Sequence, residues 1–288
     1  IRDCLLSRGL GDVYKRQAMQ LISKADVVLA LGTRLNPFST LPGYGIDYWP
    51  KNANIIQVDI NPDRIGLTKK VTVGISGDAK LVAQQIFEKL SSNAGDTDRQ
   101  KRKDLIHQTK SAWLQKLSSL DHEDDDPGTV WNKEARERDK DRMSPRQAWR
   151  AIQDAIPKDA IISSDIGNNC AIGNAYPTFE KGRKYLAPGL FGPCGYGFPA
   201  ILGAKIGCPD TPVIGFAGDG AFGISMNEMS SCAREEWPAI TMVIFRNYQW
   251  GAEKRNSILW FDDNFIGTEL DPELSFAKVA NACGLKGV

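Results

Sequence analysis

Residues 212–220 read PVIGFAGDG, an apolar run that ends in a Gly-Asp-Gly turn. The run has the length of a buried strand, and the stretch after it, AFGISMNEMSSCARE, has helical spacing. The two glycines of the turn therefore lie at a junction between a strand and a helix. In parallel α/β sheets, ligands bind at such junctions. The sequence predicts a parallel sheet with a ligand near Asp219.

Residues 18–91 also alternate between strand and helix patterns. Strands are predicted around ADVVLALG, NANIIQVDI and VTVGISGD, and the last one leads into a helix that Asp78 is placed to cap. Strands that alternate with helices form a parallel sheet. The acidic end of the second strand could bind a ribose, but no G-x-G-x-x-G follows the first strand. A structural domain is therefore favoured over a nucleotide site.

Three further segments complete the predicted organisation. Residues 92–143 are dense in mixed charge and predict a linker with one helix around KSAWLQKLSSL. Residues 144–288 begin with SPRQ, a capping-box pattern, and continue as a second domain of alternating helices and strands. Residues 1–17 are interpreted as a non-native, adapter-like leader, with a genuine short helix and loop as the alternative. The predicted fold class is α/β with two doubly wound parallel-sheet domains.

Composition narrows the possible chemistry. Lys and Arg number 36 against 35 Asp and Glu, a net charge of +1, so no nucleic-acid partner is expected. No apolar run approaches the roughly 20 residues of a membrane span, so no membrane association is expected and the cytoplasm is the expected location. The six cysteines contain no C-x-x-C pair and are expected to be free thiols. With only His107 and His122, zinc sites and histidine-based triads are disfavoured, so a cofactor is expected.

The Gly-Asp-Gly turn and Asn247 together predict a metal site. Glycines in a turn expose backbone N–H groups, which suit a phosphate. Asp219 adds a hard anionic oxygen, which suits a magnesium ion between carboxylate and phosphate. The next strand, AITMVIFRN, is expected to lie beside the first and to bring Asn247 to the same edge. The pair is interpreted as a clamp for a metal ion and a diphosphate.

A glycine-rich passage, YLAPGLFGPCGYGFPA, precedes this turn in the chain. Its glycines at positions 189, 192, 195 and 197 allow the backbone to approach a flat ligand or a neighbouring helix closely. Packing alone could account for one of these glycines. Their number favours a ligand.

The spacing of the Gly-Asp-Gly turn and the asparagine resembles the thiamine diphosphate motif. Residues 18–288 resemble the middle domain and most of the pyrophosphate-binding domain of the acetolactate synthase-like enzymes. More narrowly, LPGYGIDYWP, INPDRIGLTKKV, LAPGLFGPCGYGFPA, GDGAFGISMNE and RNYQWGAEKRN resemble the sulfoacetaldehyde acetyltransferases of that family. The resemblance implies thiamine diphosphate and Mg²⁺ as cofactors. It also implies sulfoacetaldehyde and phosphate as substrates, with acetyl phosphate and sulfite as products.

The resemblance assigns roles to single residues. It implies that Mg²⁺ is bound by the side chains of Asp219 and Asn247 and by the backbone carbonyl of Gln249. Backbone N–H groups of the turn would bind the diphosphate from one side and a preceding loop from the other, and the glycine-rich passage would contact the aminopyrimidine and support the bent cofactor. The implied N–H donors of the turn are Gly220 and Ala221, and the implied loop residues are Gly167, Asn168 and Asn169. In the glycine-rich passage, Gly192 is implied to contact the aminopyrimidine and Cys194 to support the bent cofactor.

One position departs from the family pattern. Many relatives have two adjacent asparagines where this chain has Arg246 and Asn247. Because the second asparagine is the implied ligand, the departure leaves the metal site intact. Lys254 and Arg255 follow closely and are candidates to bind the sulfonate or the phosphate, with solvated surface charges as the alternative.

The resemblance also implies an assembly. A homodimer or homotetramer is expected, with the active site at a subunit interface and no catalytic residue in this fragment, since the activating glutamate would come from an N-terminal domain. The chain is accordingly interpreted as a fragment, truncated at both ends and inactive alone. An acetolactate synthase-like carboligase or decarboxylase and a non-catalytic nucleotide-binding module are the alternative functions.

Overall fold

A computed structural model of the chain describes residues 16–36, 49–91, 97–120, 143, 145–173, 176–177, 184–188, 191–234 and 237–288. The chain divides into two compact units, residues 1–131 and 132–288. The boundary between them lies within the predicted linker, and the domain limits given above stay predictions. Most of the predicted leader, residues 92–96 and 121–142 of the predicted linker, and the serine of the capping box lie outside the described residues.

The first unit contains a three-stranded parallel sheet in the order β1-β2-β3. Its strands are β1 (Val27–Leu31), β2 (Asn54–Asp59) and β3 (Val73–Ser76), and its helices are α1 (Arg16–Ile22), α2 (Ala79–Ser91) and α3 (Thr97–Leu120). The apolar side chains of Val28, Ala30, Leu35 and Ile55 form its core. All three predicted strands are confirmed.

The ends of the helices in this unit follow from local side-chain chemistry. The carboxylate of Asp78 accepts hydrogen bonds from the backbone N–H groups of Lys80 and Leu81, at 2.9 and 3.0 Å, so the predicted cap of α2 is confirmed. Helix α3 begins at Thr97 and is longer than the helix predicted around KSAWLQKLSSL. Its first half is rich in good helix formers but polar on every side, so hydrophobic periodicity gave no signal there.

The second unit contains a four-stranded parallel sheet in the order β5-β4-β6-β7. The strands are β4 (Ile161–Ser164), β5 (Tyr185–Leu186), β6 (Val213–Gly218) and β7 (Thr241–Phe245). The helices are α4 (Pro145–Ala155), α5 (Asn168–Gly173), α6 (Gly197–Gly207), α7 (Asp219–Ser225), α8 (Met229–Cys232), α9 (Gly251–Trp260) and α10 (Phe276–Ala282). A 3₁₀ turn, Met226–Glu228, joins α7 to α8.

Helices cover both faces of this sheet. On one face, the buried indole of Trp149 in α4 packs against the rings of Phe216 and Phe245, with centroids 4.5 and 5.4 Å away. Ala217 points to the opposite face, where it belongs to the same core cluster as Ile201 of α6. The doubly wound arrangement predicted from the sequence is confirmed. Within the described parts of the chain, no helix combines the length and the apolar character that a membrane span requires.

Candidate functional site

Three acidic or amide residues follow the neighbouring strands of the second sheet. Asp165 comes directly after β4, Asp219 directly after β6, and Asn247 two residues after β7. The parallel register, which pairs Ser164 with Phe216 and Gly218 with Phe245, aligns the ends of these strands. The structure therefore brings the three residues to one edge of the sheet, and the shared edge predicted for Asp219 and Asn247 is confirmed.

The carboxylate of Asp219 is held by two backbone N–H groups. Oδ1 accepts a hydrogen bond from Gly220 at 3.0 Å, and Oδ2 accepts one from Tyr248 at 2.7 Å. The second bond links the end of β6 to the turn that carries Asn247. The side chain is buried, so its orientation is fixed by these bonds rather than by water.

The turn after β7 has an unusual backbone. Tyr248 has φ 61°, in the left-handed region that a bulky side chain rarely adopts. The N–H of Gln249 donates to Oδ1 of Asn247 at 3.3 Å. Asn247 is exposed, so its amide is accessible to a ligand from solvent.

Gln249 forms an antiparallel bridge with Glu269 in which neighbouring residues make the hydrogen bonds. Leu270 donates to the carbonyl of Tyr248 at 2.9 Å, and Trp250 donates to the carbonyl of Thr268 at 2.8 Å. In a pair of this type the central residue's own N–H and C=O point away from the partner segment. The carbonyl of Gln249 is thus directed away from the 268–270 segment.

The loop after β4 contributes two asparagines. Gly167 has φ 119°, which only glycine adopts readily. Asn169 is 9% exposed, and neither its Oδ1 nor its Nδ2 has a hydrogen-bond partner among the residues that the structure describes. Burying an unpaired amide is costly, so this side chain is suited to a polar ligand in the loop.

Gly251 is the point where this loop and the turn after β7 converge. A Cβ atom at Gly251 would lie 2.8 Å from Nδ2 of Asn247 and 3.0 Å from Nδ2 of Asn168. Both amides can occupy this space because residue 251 has no side chain. The sequence analysis gave Gly251 no contact with the predicted metal site; its position just after the predicted metal ligands was the available signal.

Gly220 lies beneath an aromatic ring. A Cβ atom there would lie 2.9 Å from the indole of Trp250, so the second glycine of the turn allows this contact. Ala221 is buried. The N–H of Gly220 donates to Asp219 in the structure, and its implied role toward a diphosphate stays a prediction.

The glycine-rich passage is anchored by Asp165. Oδ1 of this fully buried carboxylate accepts from Ile166 at 2.8 Å and Gly195 at 3.1 Å, and Oδ2 accepts from Gly197 at 2.7 Å. A Cβ atom at Gly197 would lie 3.0 Å from Cβ of Asp165. The sequence analysis missed this role of Asp165.

Backbone conformation and close contacts within the chain explain three glycines of the passage. Gly192 and Gly195 have φ 69° and 86°, and a Cβ atom at Gly195 would lie 2.8 Å from Ile224. Gly197 makes the close approach to Asp165 described above. The number of glycines therefore does not by itself indicate a ligand; the fourth, at position 189, lies outside the described residues.

Cys194 is half-buried in this passage. Burial raises the pKa of its thiol, and the nearby charges of Asp165 and Glu253 raise it further. The side chain therefore stays a neutral, weakly polar thiol at neutral pH, in keeping with the apolar role implied for it.

Burial also raises the pKa of Asp165, although hydrogen bonds from Gly197, Ile166, Gly195 and Tyr196 oppose the increase. A raised pKa in the folded state means that this group's stabilising contribution is complete below the unfolded pKa, about 3.9, and is lost as pH rises through the folded value. We expect the full-length protein's advantage in unfolding free energy over its Asp165→Asn variant to shrink as pH rises. Denaturant unfolding between about pH 3 and pH 7 measures this difference, and an advantage that grows with pH would contradict it.

The structure places Lys254 in an ion pair. Its Nζ lies 2.5 Å from Oε1 of Glu269 and 5.1 Å from the centroid of the Phe265 ring. Both members of the pair are partly exposed. Glu269 would therefore compete with any anionic ligand of this lysine. The side chain of Arg255 lies outside the described part of the structure.

The residues present fit a magnesium ion and a diphosphate. Asp219, Asn247 and Gln249 offer carboxylate, amide and carbonyl oxygens, the ligands that Mg²⁺ prefers. The unpaired, buried amide of Asn169 offers a hydrogen-bond donor to an oxyanion. The described residues contain no group of three or more His, Cys, Asp and Glu that could hold a metal ion. A magnesium ion bound by one carboxylate, one amide and one carbonyl would complete its coordination with oxygens of the diphosphate and with water.

Family models match both units. The central domain of thiamine pyrophosphate enzymes matches residues 3–86, and the C-terminal TPP-binding domain of thiamine pyrophosphate enzymes matches residues 165–288. The first match includes most of residues 1–17, whose interpretation as a leader stays a prediction. The second match begins at Asp165 and includes the Gly-Asp-Gly turn and Asn247.

Individual relatives match nearly the whole chain. A probable sulfoacetaldehyde acetyltransferase of Rhizobium meliloti is 78% identical over 97% of this chain and 47% of its own length. A sulfoacetaldehyde acetyltransferase of Castellaniella defragrans is 45% identical over 97% of this chain and 47% of its own length. An acetolactate synthase large subunit of Corynebacterium glutamicum is 28% identical over 88% of this chain and 37% of its own length.

The chain spans about half the length of the curated relatives it matches. The two matched regions are arranged in the same order as the two units, and the sheet edge described above lies in the C-terminal match. The chain therefore belongs to the thiamine pyrophosphate enzymes and contains a central domain followed by the C-terminal domain that binds thiamine pyrophosphate.

Proposed function

We propose that the full-length protein is an acetyltransferase that uses thiamine diphosphate and Mg²⁺ to convert sulfoacetaldehyde and phosphate into acetyl phosphate and sulfite. The observation that carries this proposal is the difference in similarity among relatives. Those named sulfoacetaldehyde acetyltransferase include proteins at 68 to 78% identity, whereas the acetolactate synthases stand at 27 to 29%. Degradation of sulfonates such as taurine is the proposed metabolic context.

The proposed metal ligands are the side chains of Asp219 and Asn247 and the carbonyl of Gln249. Three features support this assignment: the carboxylate is oriented by two N–H groups, it is bonded to the residue next to Asn247, and the carbonyl of Gln249 points away from its bridge partner. These features orient the oxygens before a ligand arrives, which favours binding.

The proposed cofactor contacts surround these ligands. Gly220 and Ala221 would offer backbone N–H groups to the diphosphate, and Gly167, Asn168 and Asn169 would contact it from the other side. The carbonyl of Gly192 and the thiol of Cys194 would contact the organic part. When bound, thiamine diphosphate supplies the nucleophilic carbon that this chemistry requires, while the chain supplies position and charge.

The products distinguish this function from its alternative. The full-length protein, supplied with thiamine diphosphate and Mg²⁺, is incubated with sulfoacetaldehyde with and without phosphate, and sulfite and acetyl phosphate are measured. Phosphate-dependent release of both products supports the proposal. Formation of acetolactate from pyruvate, without sulfite release from sulfoacetaldehyde, would instead establish a carboligase.

Lys254 and Arg255 are the proposed anion-binding residues. In the full-length protein, we expect Lys254→Met and Arg255→Gln each to raise the KM for phosphate or sulfoacetaldehyde by roughly ten- to a hundredfold, without changing cofactor affinity. The reason is the loss of a charged hydrogen bond to an oxyanion. Steady-state kinetics with each substrate varied in turn measures the effect.

Glu269→Gln is the matched variant for Lys254. It removes the carboxylate that pairs with this lysine and should lower the KM of the same substrate, because that carboxylate then no longer competes with the substrate anion for the ammonium. Unchanged constants in all three variants would identify Lys254 and Arg255 as surface charges.

The assembly and location are also proposals. A homodimer or homotetramer with the active site at a subunit interface, a cytoplasmic location and the inactivity of this chain alone rest on the resemblance and the composition. Light scattering coupled to size-exclusion chromatography of the full-length protein measures the oligomer.

A further inference from the structure

Arg246 occupies the position between β7 and the turn that carries the proposed metal ligands. Its Nη2 donates a hydrogen bond to the carbonyl oxygen of Pro272 at 2.9 Å. Its Cζ lies 4.4 Å from the centroid of the Tyr248 ring, so the guanidinium covers the face of that ring. One side chain thus connects the end of the strand, the residue between two ligands and the segment that returns beside the turn.

Tyr248 is the residue that needs such support. Its φ of 61° is unfavourable for an aromatic residue, and such conformations persist only when the surroundings impose them. Its N–H is held by Asp219 and its carbonyl by Leu270. These bonds fix the backbone on either side, and the stacked guanidinium fixes the ring.

The backbone of Tyr248 determines where its neighbours point. Asn247 precedes it and Gln249 follows it, so a change of φ at residue 248 would rotate the amide of one relative to the carbonyl of the other. Magnesium requires near-ideal octahedral geometry, and its affinity is therefore sensitive to such a rotation.

We propose that Arg246 is a positioning residue that holds Tyr248 in the left-handed conformation, so that Asn247 and Gln249 present their oxygens to Mg²⁺ together. The proposal rests on the metal site proposed above. Arginine suits this role because its planar group can stack on a ring and donate to a carbonyl at the same time, whereas lysine provides only a point charge.

The test measures metal binding without substrate. In the full-length protein with saturating thiamine diphosphate, Mg²⁺ is titrated by calorimetry for the wild type, Arg246→Met and Arg246→Lys. We expect Arg246→Met to raise the half-saturating Mg²⁺ concentration about tenfold, and Arg246→Lys to raise it less. At saturating Mg²⁺, cofactor affinity and kcat should stay within about twofold of the wild type, since excess metal restores the turn. Lys278→Met, at an exposed cation of α10, is the control.

A second substitution tests the mechanism. Asparagine adopts the left-handed conformation more readily than tyrosine, so Tyr248→Asn should restore most of the Mg²⁺ affinity lost in Arg246→Met. A merely structural role for Arg246 predicts a lower melting temperature with an unchanged Mg²⁺ dependence.

The outcomes separate this inference from the proposed function. Unchanged Mg²⁺ dependence in both Arg246 variants, or a loss that Tyr248→Asn does not reverse, overturns the positioning role. If the wild type itself binds no thiamine diphosphate with Mg²⁺, the proposed cofactor site fails instead. If Arg246→Met does not fold, Arg246→Lys alone decides the question by the same titration.

Discussion

Asp219→Asn is expected to abolish thiamine diphosphate binding at ordinary magnesium concentrations while the full-length protein stays folded. The substitution keeps the shape of the side chain but removes the single charge among the proposed metal ligands. It also replaces one acceptor oxygen by an NH₂ group, so one of the two N–H groups now bound to Asp219 loses its partner. This loss costs about 1 to 3 kcal/mol of unfolding free energy, which a domain of this size tolerates.

Calorimetry of cofactor binding and circular dichroism of the fold measure the two parts of this expectation. Asp271→Asn is a matched control, because the exposed carboxylate of Asp271 also accepts a backbone N–H bond, from Glu273 at 2.8 Å. It should leave cofactor affinity unchanged. Native dichroism together with wild-type cofactor affinity in Asp219→Asn would show that the metal clamp is the wrong explanation.

Gly251→Ala should damage the site without damaging the fold. The added methyl would lie 2.8 Å from Nδ2 of Asn247 and 3.0 Å from Nδ2 of Asn168, so both amides would have to turn away. Residue 251 begins helix α9, where alanine is favoured over glycine by up to about 1 kcal/mol. We therefore expect an unchanged or higher melting temperature and a cofactor affinity lowered by roughly ten- to a hundredfold.

Gly223→Ala provides the comparison for this variant. Gly223 lies within helix α7, and a Cβ atom there would meet nothing within 4 Å. The Gly223→Ala variant should gain the same helical preference, and its cofactor affinity should equal that of the wild type. Equal affinities for the two alanine variants would mean that the convergence of Asn168 and Asn247 has no role in binding.

Local signals in the sequence were sufficient for most of the fold. Short apolar runs predicted β1 to β3, β6 and β7, and a single carboxylate predicted the cap of α2. Strand β5 was missed because two residues, Tyr185 and Leu186, are too few to show a period. The first half of α3 was missed because its polar residues form no apolar stripe.

The site was predictable only in part, because its residues depend on partners far along the chain. Asp165 and Gly195, which are joined by a hydrogen bond, are 30 residues apart. Arg246 and Pro272, joined by another, are 26 residues apart. No local pattern indicates such pairs. The same limit applies to Lys254, whose charge suggested an anion site but whose carboxylate partner lies 15 residues later.

The bridge at Gln249 has a consequence for mutational surveys of this enzyme family. The ligand proposed at Gln249 is its backbone carbonyl, whose direction is set by the pairing with the 268–270 segment, so exchanging the side chain at position 249 should not remove that ligand. Substitution scans should therefore find positions 219 and 247 intolerant and position 249 permissive. Proline is the exception, since it lacks the N–H that Gln249 donates to Asn247. The proposed assignment therefore expects a metal ligand at a position where the identity of the side chain matters little.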